Sequence, residues 1–275
     1  MPKKTVLYYL LAILAVALIT RTYRLTELGP WQDERLSIMA AHGQILTEPA
    51  ELVQPFTSKD YEALDTYGNM RDAVIAVEGG NTIAYQTLLR AWTHTIGTRD
   101  AAIRLLNILI GLATVWLLFA FTTRLTGDPW LGLLAAVIAA IHPLLIQYSI
   151  ELRSYNTAGF FTLLATHLFV MLFVKPDEER TSNRTYLLTV GYFGAMLLCL
   201  LTHYLTLFVL AAHFGYMLFF SRKMKEWLLY GAAGIGVAIG FYMWMIPLKG
   251  NEGLEHIAAR NEKWLNLVEI EYAYE

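Results

Sequence analysis

Charge is what this sequence has least of. Asp, Glu, Lys and Arg make up 16% of its 275 residues, where a soluble domain carries about 25%. Hydrophobic residues reach 56%, and the mean hydropathy is +0.43. These figures exclude an ordinary soluble domain and point to an integral membrane protein. The net charge is −2, and the basic residues sit in short clusters, not in the stripe a nucleic-acid binder needs. Nucleic acid is therefore not an expected partner. A single cysteine, Cys199, excludes an intrachain disulfide. Low-complexity segments and short-period repeats are also missing.

What is present is a series of apolar runs. A bilayer core takes about 20 apolar residues as a helix. The runs predict seven spans, at about 5–23, 101–122, 130–147, 155–174, 186–201, 204–220 and 226–247. The fifth and sixth share one run from Tyr186 to Phe220. As a single helix it would reach roughly 50 Å, against a core of ~30 Å, so it divides at Thr202-His203-Tyr204. The basic clusters test that count. Lys3 and Lys4, Arg124, Lys175 with Arg180 and Arg184, and Arg222 with Lys223 and Lys225 all fall on one side with seven spans, as the positive-inside rule expects. Six spans would split them.

The expected architecture is an all-α polytopic membrane protein with a cytoplasmic N-terminus. A seven-span module occupies 1–247, and 248–275 is an external tail. The first loop, 24–100, is external and too long for a plain connector. Three of its stretches have helical spacing: "DERLSIMAAHGQIL", "SKDYEALDTYGNMRDAVIAV" and "NTIAYQTLLRAWTHTIG". The last sets Ile83, Leu88, Leu89 and Trp92 on one side, as an interfacial helix would. A signal peptide cleaved after Ala15-Val16-Ala17 is the alternative to an uncleaved anchor. The apolar run continues past that point without a polar break, which favours the anchor.

The chemistry-bearing residues gather on the external side. Asp33 and Glu34 are adjacent in "PWQDERLS". They read either as the first turn of a helix, with Asp33 near its N-cap, or as a general base or metal ligand at the membrane surface. Glu151 and Arg153 in "YSIELRSYN" read as a capping and snorkelling pair, or Arg153 as a fork for a phosphate. Arg104 lies about one turn inside the second span, where charge is costly unless paired; a salt bridge or a ligand would satisfy it. His203-Tyr204 forms the apex of the fifth–sixth turn, where aromatic residues also serve as interface anchors. His167 and His213 lie deeper and read as histidines satisfied by neighbouring helices. Gly231, Gly234, Gly236 and Gly240 read as close helix packing. Asn183-Arg184-Thr185 is a glycosylation sequon on the cytoplasmic side of this topology. Past Glu226 at the very start of the seventh, the spans hold no acidic residue and almost no basic one, which argues against an ion-coupled transporter. Chemistry at the surface, on a substrate lying in the lipid, fits better.

Several stretches together resemble a known family. "GPWQDERLS", "GGNTIAYQTLLRAWTHTIGTRDAAIRLLNILIG", "LAAVIAAIHPLLIQYSIELRSYN" and "LTHYLTLFVL" occur in the order found in integral-membrane glycosyltransferases of the GT-C fold. The likeness is to their bacterial branch, related to dolichyl-phosphate-mannose protein mannosyltransferases and to lipid A aminoarabinose transferases. It covers most of residues 1–247. The resemblance implies inverting transfer of a sugar from a polyprenyl-phosphate carrier to an acceptor lipid, glycan or protein, at the external face of a bacterial inner membrane. It makes Asp33 the catalytic base, with Glu34 beside it. Arg153, Arg104, His203 and Tyr204 become donor phosphate contacts, and Glu151 and Tyr155 substrate contacts. It implies no metal and no cofactor beyond the lipid-linked sugar. The chain departs from the pattern in two ways. "GGNTIAYQ" replaces a proline-containing loop, and the sequence ends at Glu275, soon after the seventh span. The rival expectation is a non-catalytic scaffold subunit that joins membrane-protein complex partners.

Overall fold

Some helices in this chain begin at a side-chain cap, and several stop where glycine or proline intervenes. A computed structural model describes residues 3–23, 25, 27, 29–45, 66–176 and 181–258. All regular structure among them is helical. The elements are α1 (Lys3–Thr22), α2 (Gln32–Ala41), α3 (Tyr67–Glu78), α4 (Ile83–Ile96), α5 (Asp100–Thr126), α6 (Pro129–Ile141), α7 (Pro143–Ile150) and α8 (Tyr155–Phe169), which runs on as a π-helical turn (Val170–Val174). Then come α9 (Ser182–Thr202), a 3-10 turn (Tyr204–Thr206), α10 (Leu207–Phe220) and α11 (Met224–Met245). Thr66 caps α3 by accepting from the Asn69 N–H, and Asp128 caps α6 by accepting from that of Trp130. Gly127 ends α5 in the left-handed conformation, at φ 79°.

Among the described residues, five helices are long and apolar enough to cross a membrane: Lys4–Thr22, Asp100–Thr126, Tyr155–Val174, Ser182–Thr202 and Met224–Met245. Counting α6 and α7 together as one bent span gives six, and Tyr204–Phe220 is a shorter apolar helix. The chain is an integral membrane protein. The third expected span, 130–147, is not one straight helix but breaks by 60° between α6 and α7. Pro143 is the cause. It has no N–H to give α6, and its ring drives His142 to an extended conformation, φ −67° and ψ 123°.

The break strips carbonyls at the end of α6, and Arg21 of α1 answers them. Its guanidinium, 1% exposed, donates to the carbonyls of Ala139 (3.2 Å), Ala140 (3.0 Å) and Ala17 (3.2 Å), and to Ser149 Oγ on α7 (3.1 Å). A lone arginine inside a span is expensive unless its donors are met. Here they are met by backbone, so the residue that looks out of place holds the kinked helix together.

Two apolar cores stabilise the membrane part. Leu10, Ala17, Val115, Leu133 and Ala136 join α1, α5 and α6. Phe169, Tyr192, Met196, Met217 and Val237 join α8 to α11. The remaining helices, α2, α3 and α4, cap the end of the bundle where α5 starts and α9 and α11 finish. Ile38, Tyr85, Leu89, Ile103 and Leu152 pack the cap onto α5, and Met70, Val74, Ile83 and Trp244 pack it onto α11. The apolar side of α4, expected to lie in the membrane interface, is used here inside the protein: Ile83 and Leu89 are buried, and Leu88 and Trp92 pack against the cap core.

One turn secures the cap. Gly79 and Gly80 link α3 to α4 at φ 65° and 73°, a conformation that favours glycine. A Cβ on Gly80 would lie 2.4 Å from the carbonyl oxygen of Gly250. That space lets Tyr204 Oη (2.6 Å) and Trp244 Nε1 (3.1 Å) both donate to the Gly80 carbonyl, so three distant chain segments meet there.

Candidate active site

Successive residues of a helix point about 100° apart, and this gives Asp33 and Glu34 opposite surroundings. Both sit in the first turn of α2, where negative charge suits the helix dipole. Glu34 turns inward and is 1% exposed. Its Oε1 and Oε2 receive Arg104 Nη1 and Nη2 at 2.7 and 3.0 Å. The Leu152 N–H (2.8 Å) and the Trp31 N–H (3.1 Å) complete the shell. Arg104 also donates to Asp100 Oδ1 (3.0 Å) and to the Ile150 carbonyl (2.6 Å). This closed network ties α2, the start of α5 and the α7–α8 connection into one unit. A buried bidentate pair with every oxygen satisfied holds geometry well, and it leaves neither partner a free edge for a ligand.

Asp33 is half-buried, and its carboxylate has no hydrogen bond or ion pair among the described residues. Its own peptide carbonyl accepts from Arg153 Nη1 at 3.3 Å, which ties the guanidinium to the backbone of α2 at this residue. Arg153 is held in turn by Glu78 at the end of α3: Nη1 to Oε1 at 2.7 Å and Nη2 to Oε2 at 3.3 Å. Ser37 Oγ accepts from Nη1 at 2.9 Å. The guanidinium carbon lies 5.8 Å from the Tyr155 ring centre. Arg153 Nε has no partner among the described residues. Burial works against the arginine's charge, but Glu78 more than offsets it, and its pKa stays above the ordinary guanidinium value.

The segment carrying Glu151 and Arg153 is braced from below. Asn107 of α5 donates to the Glu151 carbonyl and to that of Arg153 (3.4 Å), and Asn156 donates to the Asn107 carbonyl (2.7 Å). The Glu151 carboxylate faces outward and accepts from Gln147 Nε2 at 2.7 Å. Tyr148, Tyr155 and His203 form a row of rings, 5.6 and 6.1 Å between neighbouring centres. His203 Nδ1 accepts from the Leu205 N–H, and Nε2 has no hydrogen bond among the described residues. Burial first, and then the Arg153 charge, hold its pKa below the usual imidazole range.

Of the sequence-derived candidates, Asp33, Arg153, Tyr155 and His203 thus share one neighbourhood. Glu151 lies at its edge. Glu34 and Arg104 are sealed beneath it. Tyr204 is engaged elsewhere: its hydroxyl donates to Gly80 and accepts from Trp244 Nε1 (3.0 Å), and its N–H donates to Asn81 Oδ1 (2.7 Å). Glu34, expected as catalytic, and Arg104 and Tyr204, expected as donor phosphate contacts, are thus each engaged by other parts of the protein. Sequence reasoning missed Glu78, Ser37 and Asn107. Glu78 had one usable signal, a carboxylate ending an amphipathic helix just before Gly79-Gly80. Among the described residues no three His, Cys, Asp or Glu side chains come together as a metal site would require. Two grooves lie elsewhere, between α1 and α6 and between α9 and α11.

A family model described as dolichyl-phosphate-mannose-protein mannosyltransferase matches residues 81–246, more than half of the chain. The chain belongs to that family. It is a membrane glycosyltransferase of the GT-C type, in a family that uses polyprenyl-phosphate sugar donors. No curated protein and no solved structure matches it significantly. The segment shared with the mannosyltransferase family contains Arg104, Glu151, Arg153, Tyr155 and His203. Asp33 and Glu78 lie before it and reach the site only through the fold.

Proposed function

We propose that this protein is an inverting transferase. It moves a sugar from a polyprenyl-phosphate carrier to an acceptor hydroxyl or amine, with Asp33 as the base. The observation that carries the reading is a half-buried carboxylate, unpartnered among the described residues, whose own peptide is held by Arg153. In a single displacement the acceptor attacks the anomeric carbon and Asp33 takes the acceptor's proton. The anomeric carbon–oxygen bond breaks, and its electron pair leaves on the lipid phosphate. Inversion follows because there is one displacement and no covalent sugar–enzyme stage. Positive charge has to meet the departing phosphate. Arg153, held at the start of α2 with its buried Nε–H unused among the described residues, and Nε2 of His203 are the groups for that role. Tyr155 and Glu151 line the approach. Glu34 and Arg104 act at one remove, by fixing α2 against the Leu152–Arg153 backbone.

The same reading makes the chain a seven-span protein of a bacterial inner membrane. Its N-terminus is cytoplasmic, its cap is external, and its acceptor is a lipid, glycan or protein. Support comes from the basic residues Lys4, Arg124, Lys175, Arg184, Arg222, Lys223 and Lys225, at the end of the bundle away from the cap. We assign it to the family's bacterial branch, on the likeness of "GPWQDERLS" and "IELRSYN". The test is turnover of polyprenyl-phosphate sugars by the purified, reconstituted chain, with the anomeric configuration of the product determined. Inverted product, lost with Asp33→Asn, is the expected result; retained configuration overturns the single displacement. Cysteines placed near Asp33 and Arg153 should label from outside and one near Arg180 should not.

A further inference from the structure

The bundle end far from Asp33 carries a second feature. The cap end of α9 and α11 is marked by Tyr204 and Trp244, which both bond Gly80. At the other end, between the same two helices, lies a groove of about 500 Å³. Ser182 and Lys225 stand at its mouth, and Val190, Phe193, Ala233 and Gly236 line its inner part. Between them, Thr185 and Thr189 turn their hydroxyls back onto the carbonyls of Thr181 (3.1 Å) and Thr185 (2.9 Å), which leaves their methyl groups for the wall. The groove stops where the helices touch: a Cβ on Gly236 would lie 2.9 Å from the Phe193 ring. From Ser182 to Phe193 is about 16 Å of helix, roughly half of a ~30 Å hydrocarbon core.

The groove is therefore one leaflet deep, charged at the surface and apolar within. Lys225 is exposed and has no ion pair among the described residues. The nearest acid in the sequence, Glu226, is engaged by Ser221 Oγ (2.7 Å) and Lys223 Nζ (3.2 Å). Arg222 and Lys223 add positive charge nearby, while Asp177, Glu178 and Glu179 lie outside the described residues. A partner's spanning helix would need a face as long as the whole core, and this groove offers half. A zwitterionic headgroup would bring its own cation to Lys225; a net anionic one would not.

We propose that this groove binds one anionic phospholipid of the leaflet at this end. Its phosphate meets Lys225 and Ser182, and one acyl chain lies along Val190 and Ala233 as far as Phe193. This does not depend on the transferase reading. The test uses the full chain in bilayer discs with phosphatidylglycerol or phosphatidylcholine carrying a photoactivatable acyl chain. The glycerol lipid should label residues 182–193 and 225–236 about fivefold more than the choline lipid, the weight of one lysine at a membrane surface. Lys225→Gln should bring the two to parity with melting unchanged. Equal labelling in the wild type overturns the proposal. So does a preference that survives Lys225→Gln, or a second protein chain crosslinked to α9 and α11 in place of lipid.

Discussion

Arg104 with Glu34 and Arg153 with Glu78 are the same chemistry at two depths. The first pair has side chains 6% and 2% exposed, with both carboxylate oxygens satisfied and no donor edge left for a ligand. The second has 15% and 9%, a buried Nε without a partner among the described residues, and a bond from Arg153 to the Asp33 peptide carbonyl. The difference teaches that identical residue types do different jobs according to how many of their hydrogen bonds the fold has already used. The deep pair holds the cap in register. The shallow pair keeps a guanidinium in place closer to the surface, with its buried Nε–H unused among the described residues.

The largest expected effect breaks the deep pair. Glu34→Ala leaves the Arg104 charge buried with half its partners gone, and removing one member of a buried pair costs about 3–5 kcal/mol. Thermal unfolding in detergent, followed by a thiol-reactive dye that reaches buried Cys199 only on unfolding, should show a large fall in melting temperature. Glu78→Gln should do less to the fold, about 1–3 kcal/mol for a lost charge-assisted bond, and should act mainly on the donor. Its KM for lipid-linked sugar should rise more than kcat falls, because Arg153 keeps its charge but loses its fixed position. An equal loss of stability in both variants would erase the distinction between the pairs.

Acid probes the cap in a third way. His42, beneath α2, is pushed down to about 4 by burial first and then by His94 and Arg90. Its folded pKa is depressed below the free value of 6.5. Between those two values the unfolded chain takes up a proton that the folded chain refuses. Stability is therefore complete above about pH 6.5, falls as pH drops, and levels off near pH 4. Melting temperatures recorded down that range should show the decline, and His42→Gln should flatten it. The smallest effect belongs to Glu151→Gln: the Glu151 carboxylate bonds only Gln147 among the described residues, and the change should shift stability by less than about 0.5 kcal/mol.

Hydropathy made most of the fold legible, since span length is dictated by bilayer thickness and leaves a strong signature. The division at Thr202-His203-Tyr204 followed from length alone, and α9 ends there. The break at Pro143 was written in the sequence as His-Pro inside an apolar run, but hydropathy does not register it. Arg21 was equally visible, yet its role depends on carbonyls more than a hundred residues away. The site was legible as a set of residue types on one side of the membrane, not as contacts. Nothing in "QDER" says which carboxylate turns inward, because that is decided by where α5 and Leu152 lie. Glu78 stayed hidden for the same reason: its partner, Arg153, is in a different loop. The earlier part of the stretch leading into α3 falls outside the described residues.

The central claim is that two neighbouring carboxylates divide structure from chemistry, and one side-by-side measurement tests it. Asp33→Asn and Glu34→Gln are each assayed for sugar transfer from a polyprenyl-phosphate donor and for melting temperature. Asp33→Asn should lose about 10²–10⁴-fold in kcat, the usual contribution of a general base, with melting unchanged. Glu34→Gln should melt well below the wild type, and its folded fraction should keep a larger share of activity than Asp33→Asn does. Full transfer by Asp33→Asn, or a melting loss in Asp33→Asn matching that of Glu34→Gln, would contradict the account.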